Sequence, residues 1–394
     1  MVWSTARVLK PFTAAVTSSF TASSPSSGSR LPRVAAASMS SSASALSSTT
    51  YTIRAVAAFS RAILRYGCRN VTVRGLDRFL SHLHSPKRIA ANRGLLTYCN
   101  HISVLDEPTI WGTLPPSTFR NPDTVRWTLG ASDIMFTNPF LSTFFRNGQC
   151  IETLRGGGIY QKAIDTSIEK LNKAKWIHLF PEGYVNVSTS TKLRRFKWGI
   201  ARMLLEAKTV PTVVPIWISG FDRMMPEPRD KPKWLPRFGH DVTITFGEPI
   251  SDVLEPVIKA INESGGDIAP QELLPKPLRY VPEVLGGGTE GSVRGNRSIP
   301  QQVATEWNTA TLVQSVHGSA SRDGESARLA LARSQLAALL RYHLGLVGVE
   351  QRRADGFQYP EQDGSLVHTE SLGTRSQDEK NNVLRDRERK KTGV

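Results

Sequence analysis

The sequence predicts an α/β domain with long polar ends. Three observations carry that reading. Short apolar runs, such as Leu95-Leu96-Thr97-Tyr98-Cys99 and Trp176-Ile177-His178-Leu179-Phe180, stop abruptly at polar or Gly/Pro residues and alternate with stretches of helical periodicity. One such run leads into His101 and Asp106, and α/β proteins build sites at the C-terminal ends of their strands. Only 39% of the 394 residues are hydrophobic, low for a wholly globular chain but sufficient for one folded domain with polar tails.

Fifty Lys and Arg against 34 Asp and Glu leave a net charge of +16, which calls for an anionic partner: nucleic acid or an anionic membrane surface. The cations gather on no recognisable nucleic-acid module, and no DNA or RNA motif is present, so nucleic acid is not expected. Cys68, Cys99 and Cys150 form no CxxC pair and read as small buried apolar residues rather than as zinc ligands or a disulfide framework.

Residues 1–50 are rich in Ser, Thr and Ala and contain no acidic residue; the first is Asp77. This is the composition of a mitochondrial transit peptide, the other reading being a tail without an address. Ile53, Val56, Phe59, Ile63 and Tyr66 recur at helical spacing, with Arg54, Arg61 and Arg65 off the stripe. The segment is too short and too charged to span a bilayer; an interfacial amphipathic helix and a core-facing helix both fit. Residues 70–75 alternate as a strand, 77–84 form a short helix and 86–93 a basic loop.

Next comes Asn100-His101-Ile102-Ser103-Val104-Leu105-Asp106-Glu107-Pro108. A His that accepts a proton near neutral pH, oriented by a carboxylate, is a general-base pair. On a regular helix, residues five apart are rotated by roughly 140° and do not share a face. The pair therefore requires residues 102–105 to turn.

Residues 127–145 are aromatic-rich but carry Asp133, Asn138 and Pro139, which argues against a transmembrane helix and leaves a membrane-interface segment or a broken core helix. A short strand at 148–152 runs into Arg155-Gly156-Gly157-Gly158, either an oxyanion-binding loop or a flexible surface loop. Residues 159–173 read as an amphipathic helix. The strand 176–180 contains His178, read as a core histidine, and is broken by Pro181-Glu182-Gly183. Leu193 opens a helix running through Leu205, whose early cations could hold phosphate or form a solvated face. Strands follow at 210–218 and 241–247, then a short helix at 255–261 with Pro256 in its first turn. The domain divides as 1–50 leader, 51–262 folded unit, 263–324 disordered insertion, 325–352 helix and 353–394 polar tail.

Four features stand in one order, each at a strand end: Asn100-His101-(four residues)-Asp106, Arg155-Gly156-Gly157, Phe180-Pro181-Glu182-Gly183 and Val214-Pro215-Ile216. Together they resemble the four blocks of the glycerolipid acyltransferase family. Finer text, including Ala131 to Thr137, Trp176 to Asn186 and Leu193 to Gly199, is similar to the branch of that family that remodels cardiolipin in mitochondria. The resemblance covers about residues 50–262. Tyr184-Val185 stands where many members have Ser/Thr-Arg, and Glu107 stands where Asp is common.

The resemblance implies a central, mixed but mostly parallel sheet flanked by helices. It implies that His101 is the general base and that Asp106 orients it, with Asn100 and nearby backbone N–H groups stabilising the oxyanion. Arg155 and Gly156, assisted by Lys197, would hold the acceptor phosphate. Glu182 and Gly183 would shape the glycerol site, with Glu182 bonding a hydroxyl or Arg155. The activity implied is acyl transfer from an intact phospholipid to a lysophospholipid such as monolysocardiolipin, without coenzyme A, metal or other cofactor. The implied place is a mitochondrial membrane, held peripherally on an anionic surface and facing the intermembrane space, with self-association left open. The alternatives are a coenzyme A-dependent lysophospholipid acyltransferase and a catalytically silent membrane scaffold on the same fold.

Overall fold

A computed structural model describes residues 33–186, 193–226, 235–278 and 327–356. Most of the predicted leader, insertion and tail thus lie outside the described residues.

Seven strands form one sheet: β1 (Cys68–Arg74), β2 (Leu95–Cys99), β3 (Trp127–Ala131), β4 (Cys150–Thr153), β5 (Trp176–Leu179), β6 (Thr212–Ser219) and β7 (His240–Phe246), in the order β1-β7-β6-β2-β5-β3-β4. Every neighbouring pair is parallel except β6 and β7. The mixed, mostly parallel sheet is therefore as expected. Parallel strands need crossovers that cover both faces, so the central strands are buried on both sides. β2 and β5 are buried at every position, which is why they read as continuous apolar runs rather than as alternating ones.

Eleven α-helices are described: α1 (Arg33–Ala62), α2 (Leu76–Leu83), α3 (Pro86–Ala90), α4 (Asp106–Ile110), α5 (Ser132–Met135), α6 (Pro139–Asn147), α7 (Lys162–Leu171), α8 (Gly199–Glu206), α9 (Phe221–Met224), α10 (Ser251–Glu263) and α11 (Ala327–Ala354). Side chains alternate across each strand and split the core in two. Leu96, Tyr98, Ile177, Leu179 and Trp217 pack with α7, α8, α10 and α11. Leu95, Cys99, Trp176, Ile216 and Ile218 pack with α1, α2, α4 and α9. Helix α11 is locked onto the sheet: the Tyr98 hydroxyl donates to the Leu340 carbonyl (2.9 Å), and Gly348 lies so close to Trp217 that a Cβ there would fall 2.8 Å from the indole.

Several expectations change. The stretch 127–145 is not one broken helix; it is strand β3 followed by α5 and α6. The basic loop 86–93 contains α3, capped by Ser85, and Arg88 is buried because the carbonyls of His82, Leu83, Arg93 and Ala174 accept from its guanidinium. Residues 33–50, assigned to the leader, are helical and continuous with the predicted helix at 53–66. Helix α8 begins only at Gly199, so the preceding cations lie on non-helical backbone. Helix α10 starts at Ser251, which places Pro256 inside it rather than in its first turn. The first part of the predicted insertion is packed: Ala269, Leu274 and Leu278 are buried, and Gln335 of α11 bonds both backbone groups of Ala269. No described helix is long and apolar enough to cross a membrane.

Candidate active site

Strands β2, β3, β4 and β5 run the same way, so their C-terminal ends share one edge of the sheet. His101 follows β2, Asp133 follows β3, Arg155 follows β4 and Glu182 follows β5. Asn100 anchors the first exit. Its side-chain amide donates to the Ile218 carbonyl and its side-chain oxygen accepts from the Ile218 N–H, both at 2.9 Å. That side chain is committed to β6, so the expected contribution of Asn100 to an oxyanion gives way to a role in holding the chain exit.

Residues 102–105 turn. A single oxygen of Asp106, Oδ2, accepts from His101 Nδ1 (2.9 Å) and from the backbone N–H groups of Ile102 (2.6 Å) and Ser103 (2.8 Å). Its other oxygen is buried with no hydrogen-bond partner. Burial pushes the Asp106 carboxyl above its ordinary range, opposed by the His101 and backbone bonds that favour the charged form. A carboxylate can only accept, so Nδ1 carries the ring hydrogen and Nε2 keeps its lone pair. The imidazole stacks on Phe180 at 4.2 Å. Beneath it His178 meets Phe180 edge-on at 4.8 Å and lies 2.9 Å from Thr97 Oγ1, which also accepts from Trp176 Nε1–H. Burial holds His178 well below the usual histidine range, so it is neutral, as a core histidine should be.

Glu182 is 1% exposed and does not reach Arg155. Its Oε1 accepts from the His101 N–H (2.9 Å), while Oε2 accepts from the Arg194 N–H (2.9 Å) and from Asn186 Nδ2 (3.3 Å). Burial pushes its pKa up to about 7 in spite of these donors. The expected hydroxyl ligand is thus a buried tie between three segments of backbone. The N–H groups of residues 101–103 are all engaged by the two carboxylates, so these three are not among the nearby oxyanion donors that the resemblance implied.

Arg155 forms a two-pronged ion pair with Asp133, its Nε lying 3.0 Å from Oδ1. Asp133 was legible only as a charge that breaks an apolar run; its pairing depends on β3 and β4 being neighbours. Gly156 turns with φ +80°, and a Cβ there would meet nothing within 4 Å. Gly183 (φ +77°) lies against Lys197, whose backbone N–H donates to the Pro181 carbonyl at 2.7 Å. Tyr184 had no assigned role, yet Arg155, Arg194 and Lys197 all flank its ring, with cationic centres at 5.7, 5.8 and 5.7 Å from the centroid. Glu107 is not a second reacting carboxylate: Arg126 and Trp111 Nε1 bond it at 2.9 and 3.3 Å.

A family model described as Acyltransferase matches residues 80–219, which contain all of these groups. The chain is 40% identical over 184 residues to a tafazzin of Dictyostelium discoideum, covering 46% of this chain and 62% of that one. It is 36% identical over 201 residues to an N-acylphosphatidylethanolamine synthase of Arabidopsis thaliana, covering 50% and 69% respectively. Among solved structures, the 1-acyl-sn-glycerophosphate acyltransferase PlsC of Thermotoga maritima is matched at 19% identity and a TM-score of 0.36, over 56% of this chain and 81% of that one. The chain belongs to the glycerolipid acyltransferase family. It spans about three fifths of the length of the tafazzin it matches.

Proposed function

We propose that this protein is a phospholipid–lysophospholipid transacylase that remodels cardiolipin, using His101 as base and needing no coenzyme A. The observation that carries the reading is the 2.9 Å bond from His101 Nδ1 to Asp106, which leaves Nε2 as the proton acceptor at an edge ringed by cations. Identity to a tafazzin supports the transacylase class.

In this mechanism Nε2 takes the proton from a lysophospholipid hydroxyl as its oxygen attacks the donor's ester carbonyl. Asp106 stabilises the imidazolium that results. The tetrahedral intermediate collapses, its C–O bond to the donor glycerol breaks, and the same proton passes to the departing oxygen. A new phospholipid and a new lysophospholipid remain. Arg155, with its adjacent Gly156, and Lys197 bind the acceptor phosphate, and Gly183 lets the Lys197 segment approach.

Residues 51–262, with α11 docked on them, constitute the acyltransferase unit. Residues 1–50 address the protein to mitochondria, where it sits peripherally on a membrane facing the intermembrane space. Val104, Ile134 and Leu154 are exposed at the edge that carries His101, and Phe140 at the start of α6 is 78% exposed. Apolar side chains beside cations on one edge suit an anionic bilayer surface.

The test is transfer of labelled acyl chains from phosphatidylcholine to monolysocardiolipin without coenzyme A. Label in cardiolipin is expected. Transfer that requires acyl-coenzyme A, or that goes instead to the amine of phosphatidylethanolamine, would replace this reading.

A further inference from the structure

We propose that Arg194 is a headgroup-binding residue, completing with Arg155 and Lys197 a cradle around Tyr184 for the phosphodiester of a phospholipid. The proposal deepens the reading above and rests on it for the identity of the ligand.

Three cationic centres stand within 5.8 Å of the centre of one ring. Asp133 is paired with Arg155, and Glu182 accepts from backbone N–H groups and Asn186 rather than from the Arg194 guanidinium. Arg194 differs from the other two cations in being only 7% exposed, with a buried Nη2 that has no hydrogen-bond partner. A buried guanidinium nitrogen without an acceptor is costly and calls for one from outside the chain, a water, an ion or a ligand oxygen. The planar fork of an arginine fits two phosphate oxygens at once, and a desolvated, incompletely paired guanidinium binds them more strongly than one in open water.

The backbone explains why Arg194 is placed this way. Residues 193–198 are not helical, so Leu193, Arg194 and Phe196 are buried while Arg195 leans on Trp198 at 5.4 Å. The Arg194 N–H is held by Glu182 Oε2, and the opposite oxygen of that carboxylate holds the His101 N–H. One rigid carboxylate therefore sets the frame of both the phosphate ligand and the base. A headgroup bound at Arg194 is positioned relative to His101 Nε2 with little freedom.

The experiment compares the full-length wild type with Arg194→Ala and Arg194→Lys, each checked by thermal melting. Tryptophan fluorescence titrations use dihexanoyl phosphatidylglycerol, dihexanoylglycerol and inorganic phosphate as separate probes, and acceptor KM is measured for lysophosphatidylglycerol and for monoacylglycerol. Arg194→Ala should weaken phosphatidylglycerol binding and raise the lysophosphatidylglycerol KM at least tenfold. Its binding of dihexanoylglycerol should be unchanged, and Arg194→Lys should recover part of the loss. Unchanged phosphatidylglycerol binding in a folded Arg194→Ala protein overturns the proposal. So does an equal loss with the uncharged lipids, which marks a purely structural role, or binding of inorganic phosphate without the lipid. If the wild type transfers no acyl group yet binds phosphatidylglycerol through Arg194, the transacylase reading falls and the site stands.

Discussion

Glu182 is bonded to the backbone of His101, not to its ring: Oε1 accepts from the His101 N–H at 2.9 Å while Oε2 accepts from the Arg194 N–H at 2.9 Å. Replacing it with Gln keeps one acceptor but turns an amide NH2 toward either His101 N–H or Arg194 N–H. Two donors then face each other in a buried place, at a cost of about 1–3 kcal/mol. The group also links stability to pH. Its folded pKa of about 7 lies above the ordinary 4.5, so between those values the folded state binds the extra proton. The contribution is therefore fully present below about 4.5 and is lost as pH rises through about 7, an effect on the order of 3 kcal/mol. Denaturant unfolding at pH 8 and pH 5 should show the wild type gaining stability on acidification relative to Glu182→Gln. Parallel pH profiles would refute the assignment.

Asp106→Asn separates the turn from the charge. The three donors at Oδ2 select the amide oxygen for that place and send its NH2 to the position now held by the unpartnered Oδ1. The turn should persist while the imidazolium loses its counter-charge. Acyl transfer should fall by about 10²-fold or more with a circular dichroism spectrum like the wild type's, and His101→Ala should fall at least as far. Turnover within a few-fold of wild type in either variant would remove His101 as the base.

The exposed apolar edge predicts where the protein meets lipid. Ile134 and Phe140 are 59% and 78% exposed, so changing both to Glu leaves the core untouched and should shift melting little. Sedimentation with vesicles containing cardiolipin should lose at least tenfold in bound fraction. Undiminished binding would move the contact surface elsewhere.

Gly348→Ala probes the docking of α11. The added methyl would lie 2.8 Å from the Trp217 ring, in a buried contact with no room to yield, and overpacking of this kind costs about 1–3 kcal/mol. Urea unfolding should register that loss. A neutral result would mean that α11 adds little to the stability of the sheet.

Most strands were legible because the chemistry that marks them is local. Leu95–Cys99 is buried on both faces and therefore apolar throughout, and its bounds are those read from the run itself. β3 was hidden because Trp127–Ala131 continues without a break into two helices of similar composition, and no local signal separates a strand from a helix there. Arg88 read as a loop cation because four carbonyl acceptors, one of them on a distant segment, cannot be seen from neighbouring residues.

The sequence by itself determined the class of fold, the order of the chemical groups along it and the need for a turn between His101 and Asp106, since each follows from short-range periodicity and spacing. Tertiary structure decided which partner each group has. Asn100 belongs to Ile218, Glu182 to the backbones of His101 and Arg194, and Arg155 to Asp133. The physical reason is that a parallel sheet brings the ends of β2, β3, β4 and β5 to one edge in an order the chain does not follow. A buried polar group takes whichever donor or acceptor that order sets beside it.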